Sequence, residues 1–472
     1  MELSHKNELK TNTVLFGIGE ICTKVLQYII ALFLSFFLST QESGDITLIK
    51  TSASLMIPIV SLDIIESVFR FSADKKYDNK SVFSVGILFS VLGSIFLIPL
   101  SFLINRIFNV STPIIIYLFV ALLMIHNIVH YFVKGIGKVK LYVINSIVFA
   151  LGTCAVTLLC LYLFRGGIKT FFFCYIATYC ICIVFMFLSG KLWRYISIKS
   201  INKNIVLDMI KYSSPLIVNT VGWWLISASD TYITNHFLGK SFVGILSYSH
   251  KFPTILNSIY SIFGMAFQLL AISNFNFDNL KEKEQAETSF SNVLDKLSIV
   301  LGLFVLLIIL CTEPAIKLLV SKEYYESWRY VALYTLGMFF FSLASFYGYI
   351  YNIKKNNIPL LISTLICGIC NIGLCILFYF VFDNLIAAAL STAISYFVVF
   401  VFRMIDSRKI LKVAFNKKMI ISVIFLLIPV FLNSVLSLSS RPLFALNFLF
   451  TISYFIVFKN DILYIGKVVL HK

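Results

Sequence analysis

The sequence predicts an all-α polytopic membrane protein with about fourteen transmembrane helices, and three observations lead to this prediction. Of the 472 residues, 59% are apolar and only 13% are charged, whereas soluble domains are typically about 45–50% apolar and about 25% charged. The apolar residues are gathered into segments close to the roughly 20 residues that one spanning helix needs. The polar breaks between these segments are short. A soluble enzyme, a disordered protein, a single-span receptor and an outer-membrane barrel with alternating strands are therefore excluded.

The apolar segments recur along the whole chain, and each is long enough to cross a bilayer, or nearly so with tilt. Prolines inside four of them, Pro58, Pro99, Pro253 and Pro429, remove helix hydrogen bonds and predict kinks. The fourteen predicted spans are 13–38, 46–69, 81–104, 113–133, 141–164, 170–189, 212–237, 243–269, 293–311, 330–352, 359–381, 385–402, 419–436 and 442–458.

The formal net charge of +17 would suggest nucleic acid as a partner in a soluble protein. In a membrane protein it has a simpler source, because cytoplasmic loops are rich in Lys and Arg. If the N-terminus is cytoplasmic, most Lys and Arg residues outside the spans lie on the cytoplasmic side. We therefore expect both termini in the cytoplasm and no nucleic-acid partner.

A G-x-x-x-x-G-K-[ST] phosphate loop is absent from the sequence, so ATP hydrolysis by this chain is not expected.

Cysteine and histidine residues give no sign of a metal or redox site. All ten cysteines lie within apolar segments, whereas a disulfide framework would place them in loops. Cys367 and Cys370 form a C-x-x-C without His or acidic neighbours, and we interpret them as small hydrophobic residues. His126 and His130 form an i,i+4 pair for which the sequence offers no third ligand. We expect this pair to be buried polar packing, and we expect no metal.

Polar residues line one face of the first span. Gly17, Glu20, Lys24, Gln27 and Ala31 follow one another at spacings of three and four residues, so they share one side of a helix. Ionisable residues inside a membrane are costly and mark functional sites by default. The i,i+4 pair of opposite charge formed by Glu20 and Lys24 either neutralises itself within the bundle or faces a cavity.

The second span carries two polar stripes. Lys50 lies on one of them and either snorkels to the external interface or faces a cavity. Asp63, Glu66 and Arg70 form the other stripe near the cytoplasmic end, where Arg70 either anchors the topology or contacts a ligand. The first stripe consists of Lys50, Ser54, Pro58 and Ser61. Pro58 here and Pro253 in span 8 would serve as hinges.

Spans 7 and 8 are striped in the same way, and such faces must point at protein or at a watery cavity. Asp230 either has a binding role or pairs structurally with Lys251 or Lys24. The stripe of span 7 contains Asn219, Trp223, Ser227, Asp230 and Thr234. The stripe of span 8 contains Ser247, Lys251, Thr254, Ser258, Ser261, Met265 and Gln268.

The polar helices also carry a family resemblance. The stretch YSSPLIVNTVGWWLISASDTYITNHFLGKSFVGILSYSHKFP at 212–253, ESGDI at 42–46 and ESVFRF at 66–71 resemble Wzx-type polysaccharide flippases. This family belongs to the multidrug/oligosaccharidyl-lipid/polysaccharide exporter (MOP) superfamily. The resemblance implies a MATE-like fold of two six-helix lobes in a V, at 1–200 and 201–405. It leaves two additional C-terminal helices at 406–472.

The function implied by the resemblance is that of a transporter rather than an enzyme. Such a protein flips undecaprenyl-diphosphate-linked oligosaccharide repeat units across the bacterial cytoplasmic membrane by alternating access, for surface polysaccharide biosynthesis. Its partners would be the lipid bilayer, a polysaccharide polymerase and a chain-length regulator. No cofactor is expected beyond coupling to H⁺ or Na⁺. The candidate substrate-binding residues are Lys24, Lys50, Arg70, Lys251, Asn219, Ser258 and Gln268, and the candidate ion-coupling or charge-pairing residues are Glu20, Asp63, Glu66 and Asp230.

Two other functions stay open at this point. An ion-coupled drug or cation exporter of the same superfamily would use the intramembrane acids to bind its substrate. An integral-membrane polysaccharide polymerase or glycosyltransferase would need a sizeable loop or paired acids at an interface, for which Asp63 and Glu66 are the candidates. The loops of this sequence are short, which favours the flippase.

Overall fold

The computed structural model describes residues 26–74, 76–108, 113–274, 280–354, 358–414, 416–434 and 440–470. This part of the chain is built from helices and short turns and contains no strand, which confirms the all-α class. The helices are α1 Leu26–Phe36, α2 Thr40–Val60, α3 Ile64–Ala73, α4 Asn79–Phe108, α5 Pro113–Gly135, α6 Val139–Leu151, α7 Thr157–Phe164, α8 Gly167–Gly190, α9 Lys203–Phe237, α10 Lys240–Ser249, α11 Lys251–Asn274, α12 Leu280–Leu319, α13 Trp328–Ile353, α14 Ile358–Phe382, α15 Ile386–Asp406, α16 Lys417–Ser434 and α17 Ser440–Leu470.

The protein is a multi-pass membrane protein. Among the described residues, 10 helices are long and apolar enough to cross a bilayer, or 11 if the bent pair α2–α3 counts as one span. A π-helical turn at Gly152–Val156 joins α6 to α7, and the two form one of these spans. Helices also occupy the predicted spans 7 and 8, but α9, α10 and α11 fall outside this apolar set. The count of fourteen therefore stays a prediction.

The chain divides into two compact units that meet in sequence between Trp224 and Leu225, within α9. In the first unit, aromatic rings fill the core between helices. Phe83 of α4 stacks on Phe132 of α5 with ring centroids 4.3 Å apart, and Phe119 of α5 meets Phe172 of α8 edge to face. The predicted lobe limits 1–200, 201–405 and 406–472 stay predictions.

The second unit is organised around α13, whose side chains are largely buried against its neighbours. The last two helices, α16 and α17, pack on α12 within this unit. The hydroxyl of Tyr454 on α17 donates to the carbonyl of Ile299 over 2.9 Å and lies 2.7 Å from the hydroxyl of Ser422 on α16. A Cβ atom at Gly302 would clash with the Tyr454 hydroxyl, so this close approach requires glycine.

The second predicted span is broken between α2 and α3, where the axis bends by 62°. Leu62 and Asp63 both adopt left-handed backbone conformations, with φ of 52° and 50°, which are uncommon for residues other than glycine. The amide of Asp63 donates to the carbonyl of Pro58 over 2.8 Å. The break thus follows Pro58 by one turn, and it places Asp63 and Glu66 beside the interior of the first unit. Strained residues of this kind cluster at functional sites.

Candidate functional site: a cavity in the first unit

The first unit contains a partly open cavity of about 520 Å³. Its wall is formed by α1, α2, α3, α5, α6, α8 and the π-helical turn. Three of the predicted site residues lie together in this wall, namely Lys50, Asp63 and Glu66. The other polar lining residues are Gln27, Ser54, Asn127 and Thr153, and the aromatic ones are Phe119, Tyr131, Phe149, Tyr175 and Tyr179.

Lys50 is held against the aromatic part of the wall. Its ammonium donates a hydrogen bond to the Tyr175 hydroxyl over 3.3 Å. The same nitrogen lies 4.5 Å from the ring centroid of Tyr175 and 4.9 Å from that of Phe171. Cation–π contacts of this kind hold a cation electrostatically. The half-buried side chain therefore keeps one positive charge at the edge of the cavity.

The two carboxylates of the wall lie at the break between α2 and α3. Asp63 is 7% exposed and accepts a hydrogen bond from the Thr220 hydroxyl on α9 over 3.3 Å. Glu66 is half-buried and interacts electrostatically with Asp63 and with Lys134 on α5. The Lys134 ammonium lies 4.9 Å from the ring centroid of Phe69. The described lining therefore contains one ammonium group, that of Lys50, and two carboxyl groups.

The histidine pair is part of a buried polar cluster behind the cavity. The side-chain amide nitrogen of Asn145 lies 3.2 Å from His126 Nε2 and 3.2 Å from His130 Nδ1. The Ser146 hydroxyl lies 3.3 Å from His130 Nε2. This arrangement is the polar packing expected from the sequence. Within the described ranges, no three His, Cys, Asp or Glu side chains are grouped as metal ligands would be.

Four other predicted residues of the first half are not among the described residues of this wall. Arg70 is exposed in the last turn of α3 and does not line the cavity. Glu20 and Lys24 lie outside the described residues. Asn219 lies on α9, but its side chain is also outside the described part. The roles of these four residues stay predictions.

In the second unit, Asp230 is the centre of a buried cluster. It is 1% exposed, and its Oδ2 lies 3.3 Å from Nε2 of His250 and accepts from the Tyr334 hydroxyl over 3.3 Å. Its Oδ1 accepts from the amide of Thr231 over 2.8 Å. The structure thus gives Asp230 a histidine as its partner, where the sequence suggested a lysine. The Lys251 ammonium lies over the ring of Tyr248, 3.1 Å from the centroid.

The remaining predicted residues of the second unit lie on α11. The Ser258 hydroxyl donates to the carbonyl of Thr254 over 3.0 Å, within the same helix. Gln268 is half-buried near the C-terminal end of α11. Neither belongs to the cavity of the first unit, and their predicted roles in substrate binding stay predictions.

Several residues that line the cavity or are buried in the fold were not predicted from the sequence. Tyr131, Tyr175 and Asn127 line the cavity, but in segments so rich in Phe and Tyr they carry no distinctive signal. The predicted spans leave Arg403 in the loop after span 12, whereas it is buried inside α15. Its guanidinium donates to the Ser363 and Thr364 hydroxyls and to main-chain carbonyls of α13 and α14. Arg403 directly follows a predicted apolar span, so the sequence did not predict its burial or its hydrogen bonds.

Comparison with known proteins agrees with this architecture. Residues 9–268 match the model of a family described as "Polysaccharide biosynthesis protein". No curated protein sequence matches the chain.

The fold is found in solved membrane transport proteins. A structure titled "Lipid II flippase MurJ, inward closed conformation" is 17% identical, with a TM-score of 0.71, and the match covers 97% of this chain and 100% of that one. An inward-facing multidrug resistance MATE family transporter of the MOP superfamily is 10% identical, with a TM-score of 0.65, covering 84% and 98%. The MATE multidrug transporter DinF-BH is 13% identical, with a TM-score of 0.57, covering 85% and 95%.

These matches confirm the predicted resemblance at the level of family and fold, and they agree with a transporter rather than an enzyme. The family match spans more than half of the sequence and includes the residues that line the cavity of the first unit, together with Asp230 and His250. The chain therefore belongs to the polysaccharide biosynthesis protein family and has the fold of MOP superfamily transporters.

Proposed function

We propose that this protein is a flippase that moves undecaprenyl-diphosphate-linked oligosaccharide repeat units across the bacterial cytoplasmic membrane for surface polysaccharide biosynthesis. Its family and its likeness in fold to a lipid II flippase support this proposal. The single observation that carries it is the ammonium of Lys50, held at the wall of a polar and aromatic cavity inside the first unit. A membrane-embedded cation beside such a cavity suits an anionic, sugar-bearing head group.

In this mechanism the diphosphate is bound by lysine ammonium groups, which serve phosphate as point charges. Lys50 is the member of this set that lines the cavity of the first unit, and the roles of Lys24 and Lys251 in binding the diphosphate stay as the sequence predicts them. The polyprenyl tail stays in lipid while the head group crosses by alternating access. The break at Leu62 and Asp63 gives the second span a place to bend during this change. Both termini would lie in the cytoplasm.

The proposal also includes a binding site for the ion that drives transport. Asp230, buried with His250 and Tyr334, would bind H⁺ or Na⁺ and bias the equilibrium between inward and outward states. An ion can do so only if its affinity differs between the two states. A polysaccharide polymerase and a chain-length regulator would act on the flipped product.

The test is restoration of surface polysaccharide in cells that lack their own flippase, paired with flipping of a fluorescent polyprenyl-diphosphate-linked sugar in proteoliposomes. Lys50→Ala is expected to lower export at least tenfold, because it removes the charge at the cavity wall, and Lys50→Arg is expected to keep part of it. Lys76→Ala changes an exposed lysine and serves as the control. Normal export by Lys50→Ala and Lys251→Ala would refute the proposed diphosphate site.

A drug or cation exporter is the second candidate. The observation that favours it is the pair of carboxyl groups, Asp63 and Glu66, in the same cavity as Lys50. Cells that overproduce the protein would then gain resistance to cationic dyes, and Glu66→Gln would abolish that resistance. A chain that restores polysaccharide without changing dye resistance is a flippase.

A further inference from the structure

We propose that the cavity of the first unit is a sugar subsite, and that it selects uncharged sugar rings over acidic ones. This inference rests on the proposed flippase function and specifies the substrate class. It is drawn from the aromatic wall and from the balance of charges around the cavity.

The aromatic part of the wall has the form of a stacking platform. The rings of Tyr131 and Phe149 line the cavity and are half-buried. Phe119 and Tyr179 also line it and are almost fully buried. Tyr179 stacks on Phe149 with centroids 5.0 Å apart and lies 6.0 Å from Phe119, so the buried rings support the ring of Phe149. Aromatic faces carry negative potential, and the C–H face of a pyranose ring stacks on them.

The polar part of the wall suits the hydroxyl groups of a sugar. Carboxylate oxygens accept hydrogen bonds, and side-chain amides both donate and accept. Asp63 and Glu66 supply the first kind of group, and Gln27 and Asn127 supply the second. A sugar hydroxyl can satisfy either kind. The carboxyl groups, which are out of place in a purely phosphate-binding cavity, thereby gain a role in the flippase.

The charges decide which sugars are accepted. Within the described lining, Lys50 is opposed by Asp63 and Glu66, and the Lys50 ammonium is the group assigned to the diphosphate. The Lys134 ammonium near the cavity interacts with Glu66, so a uronic acid would meet the Asp63 carboxylate with no cation assigned to it. A neutral or N-acetylated sugar carries no charge to be repelled. Like charges brought together at an interface disfavour the wrong ligand strongly.

The size of the cavity sets how much of the oligosaccharide it holds. Pockets of roughly 300–1,000 Å³ enclose drug-sized ligands, and this cavity measures about 520 Å³. It therefore accommodates the sugars nearest the diphosphate rather than a long repeat unit. Selection acts at that end of the substrate.

The experiment uses the purified full chain in nanodiscs and saturation-transfer NMR with two matched probes. The neutral probe is N,N′-diacetylchitobiose, and the acidic probe is the glucuronic acid–N-acetylglucosamine disaccharide. We expect the neutral disaccharide to bind at least tenfold more tightly and to receive saturation on its ring C–H protons. Equal or tighter binding of the acidic disaccharide, or no binding of the neutral one, overturns the inference.

Amino-acid substitutions test whether the disaccharide probes bind in this cavity. Tyr131→Leu and Phe149→Leu are each expected to weaken binding of the neutral disaccharide at least fivefold. The matched control is Tyr162→Leu, which removes an aromatic side chain that is 66% exposed on α7, away from the cavity. Glu66→Gln keeps the shape of the side chain and is expected to reduce the discrimination against the acidic probe at least threefold. The inference fails if Tyr162→Leu weakens binding as much as Phe149→Leu, or if Glu66→Gln leaves the discrimination unchanged.

Failure of the inference and failure of the proposed function give different results. Normal flipping of a polyprenyl-diphosphate-linked sugar without disaccharide binding removes the sugar subsite and leaves the flippase intact. Disaccharide binding that depends on Phe149, with no flipping in proteoliposomes and no export in cells, removes the flippase and leaves a sugar-binding cavity.

Discussion

The ammonium of Lys50 on α2 and the hydroxyl of Tyr175 on α8 lie 3.3 Å apart, although 125 residues separate them in the sequence. A cation–π contact contributes about 2 kcal/mol or more in a desolvated site, and Tyr175→Phe keeps the ring while it removes the hydroxyl. We expect Tyr175→Phe to lower the rate of flipping in proteoliposomes a few-fold and Tyr175→Leu to lower it at least tenfold. Tyr162→Leu serves as the control. Equal rates for Tyr175→Phe and Tyr175→Leu would contradict an electrostatic role of the ring.

The Asp230–His250 contact is expected to stabilise the second unit. Removing one partner leaves a buried polar group less satisfied, at a cost of about 1–3 kcal/mol. His250→Ala should therefore lower the thermal unfolding midpoint of the purified protein. The double variant Asp230→Asn/His250→Ala should lose less stability than the sum of the single variants. Strictly additive losses would show that the two side chains do not interact.

Substitution of Asp230 also tests the proposed coupling of flipping to an H⁺ or Na⁺ gradient. If it binds the driving ion, Asp230→Asn should remove the acceleration of flipping that an H⁺ or Na⁺ gradient produces in proteoliposomes, while flipping without a gradient continues. Tyr334→Phe deletes one hydrogen bond to Asp230 and keeps the carboxylate, so its response to the gradient should persist. A full gradient response in Asp230→Asn would place the coupling site elsewhere.

Arg403 is expected to hold α13, α14 and α15 together. It is 3% exposed and donates to Ser363 over 2.9 Å and to the carbonyl of Ala344 over 3.2 Å. Hydrogen bonds to charged groups contribute about 1.5–3 kcal/mol each, so Arg403→Ala should lower the unfolding free energy by on the order of 3 kcal/mol. Arg403→Lys should recover only part, since lysine lacks the planar fork. Arg408→Ala changes an exposed neighbour and should have no measurable effect on thermal unfolding.

Asn433 and Asn447 join the last two helices by reciprocal amide hydrogen bonds of 2.9 and 3.1 Å. Interhelical hydrogen bonds in membranes contribute about 0.6–2 kcal/mol. Asn433→Leu should therefore lower thermal stability modestly, and Asn433→Leu/Asn447→Leu should lower it less than the two single changes combined. Flipping rates of the folded variants should stay normal, because the pair lies outside the cavity of the first unit. A loss of flipping without a loss of stability would instead indicate that α16 and α17 contribute to the substrate path.

Much of the architecture could be predicted because it is encoded locally. Helices lie at the predicted spans within the described residues, since a stretch of apolar side chains dictates burial in lipid wherever it occurs. The stripe of Lys50, Ser54 and Pro58 likewise identified a cavity-lining face of α2, because helical periodicity places such residues on one side. The bend was anticipated at Pro58, but its position at Leu62 and Asp63 was not.

The sequence by itself determined the class of protein, the order of its helices, its family resemblance and the charged residues that lie inside the membrane. Only the tertiary structure decided their partners: Tyr175 for Lys50, Thr220 for Asp63, and His250 for Asp230. The physical reason is that hydropathy and helical periodicity are properties of neighbours along one helix. A contact between side chains on different helices depends on how those helices pack, and no spacing along a single segment records it.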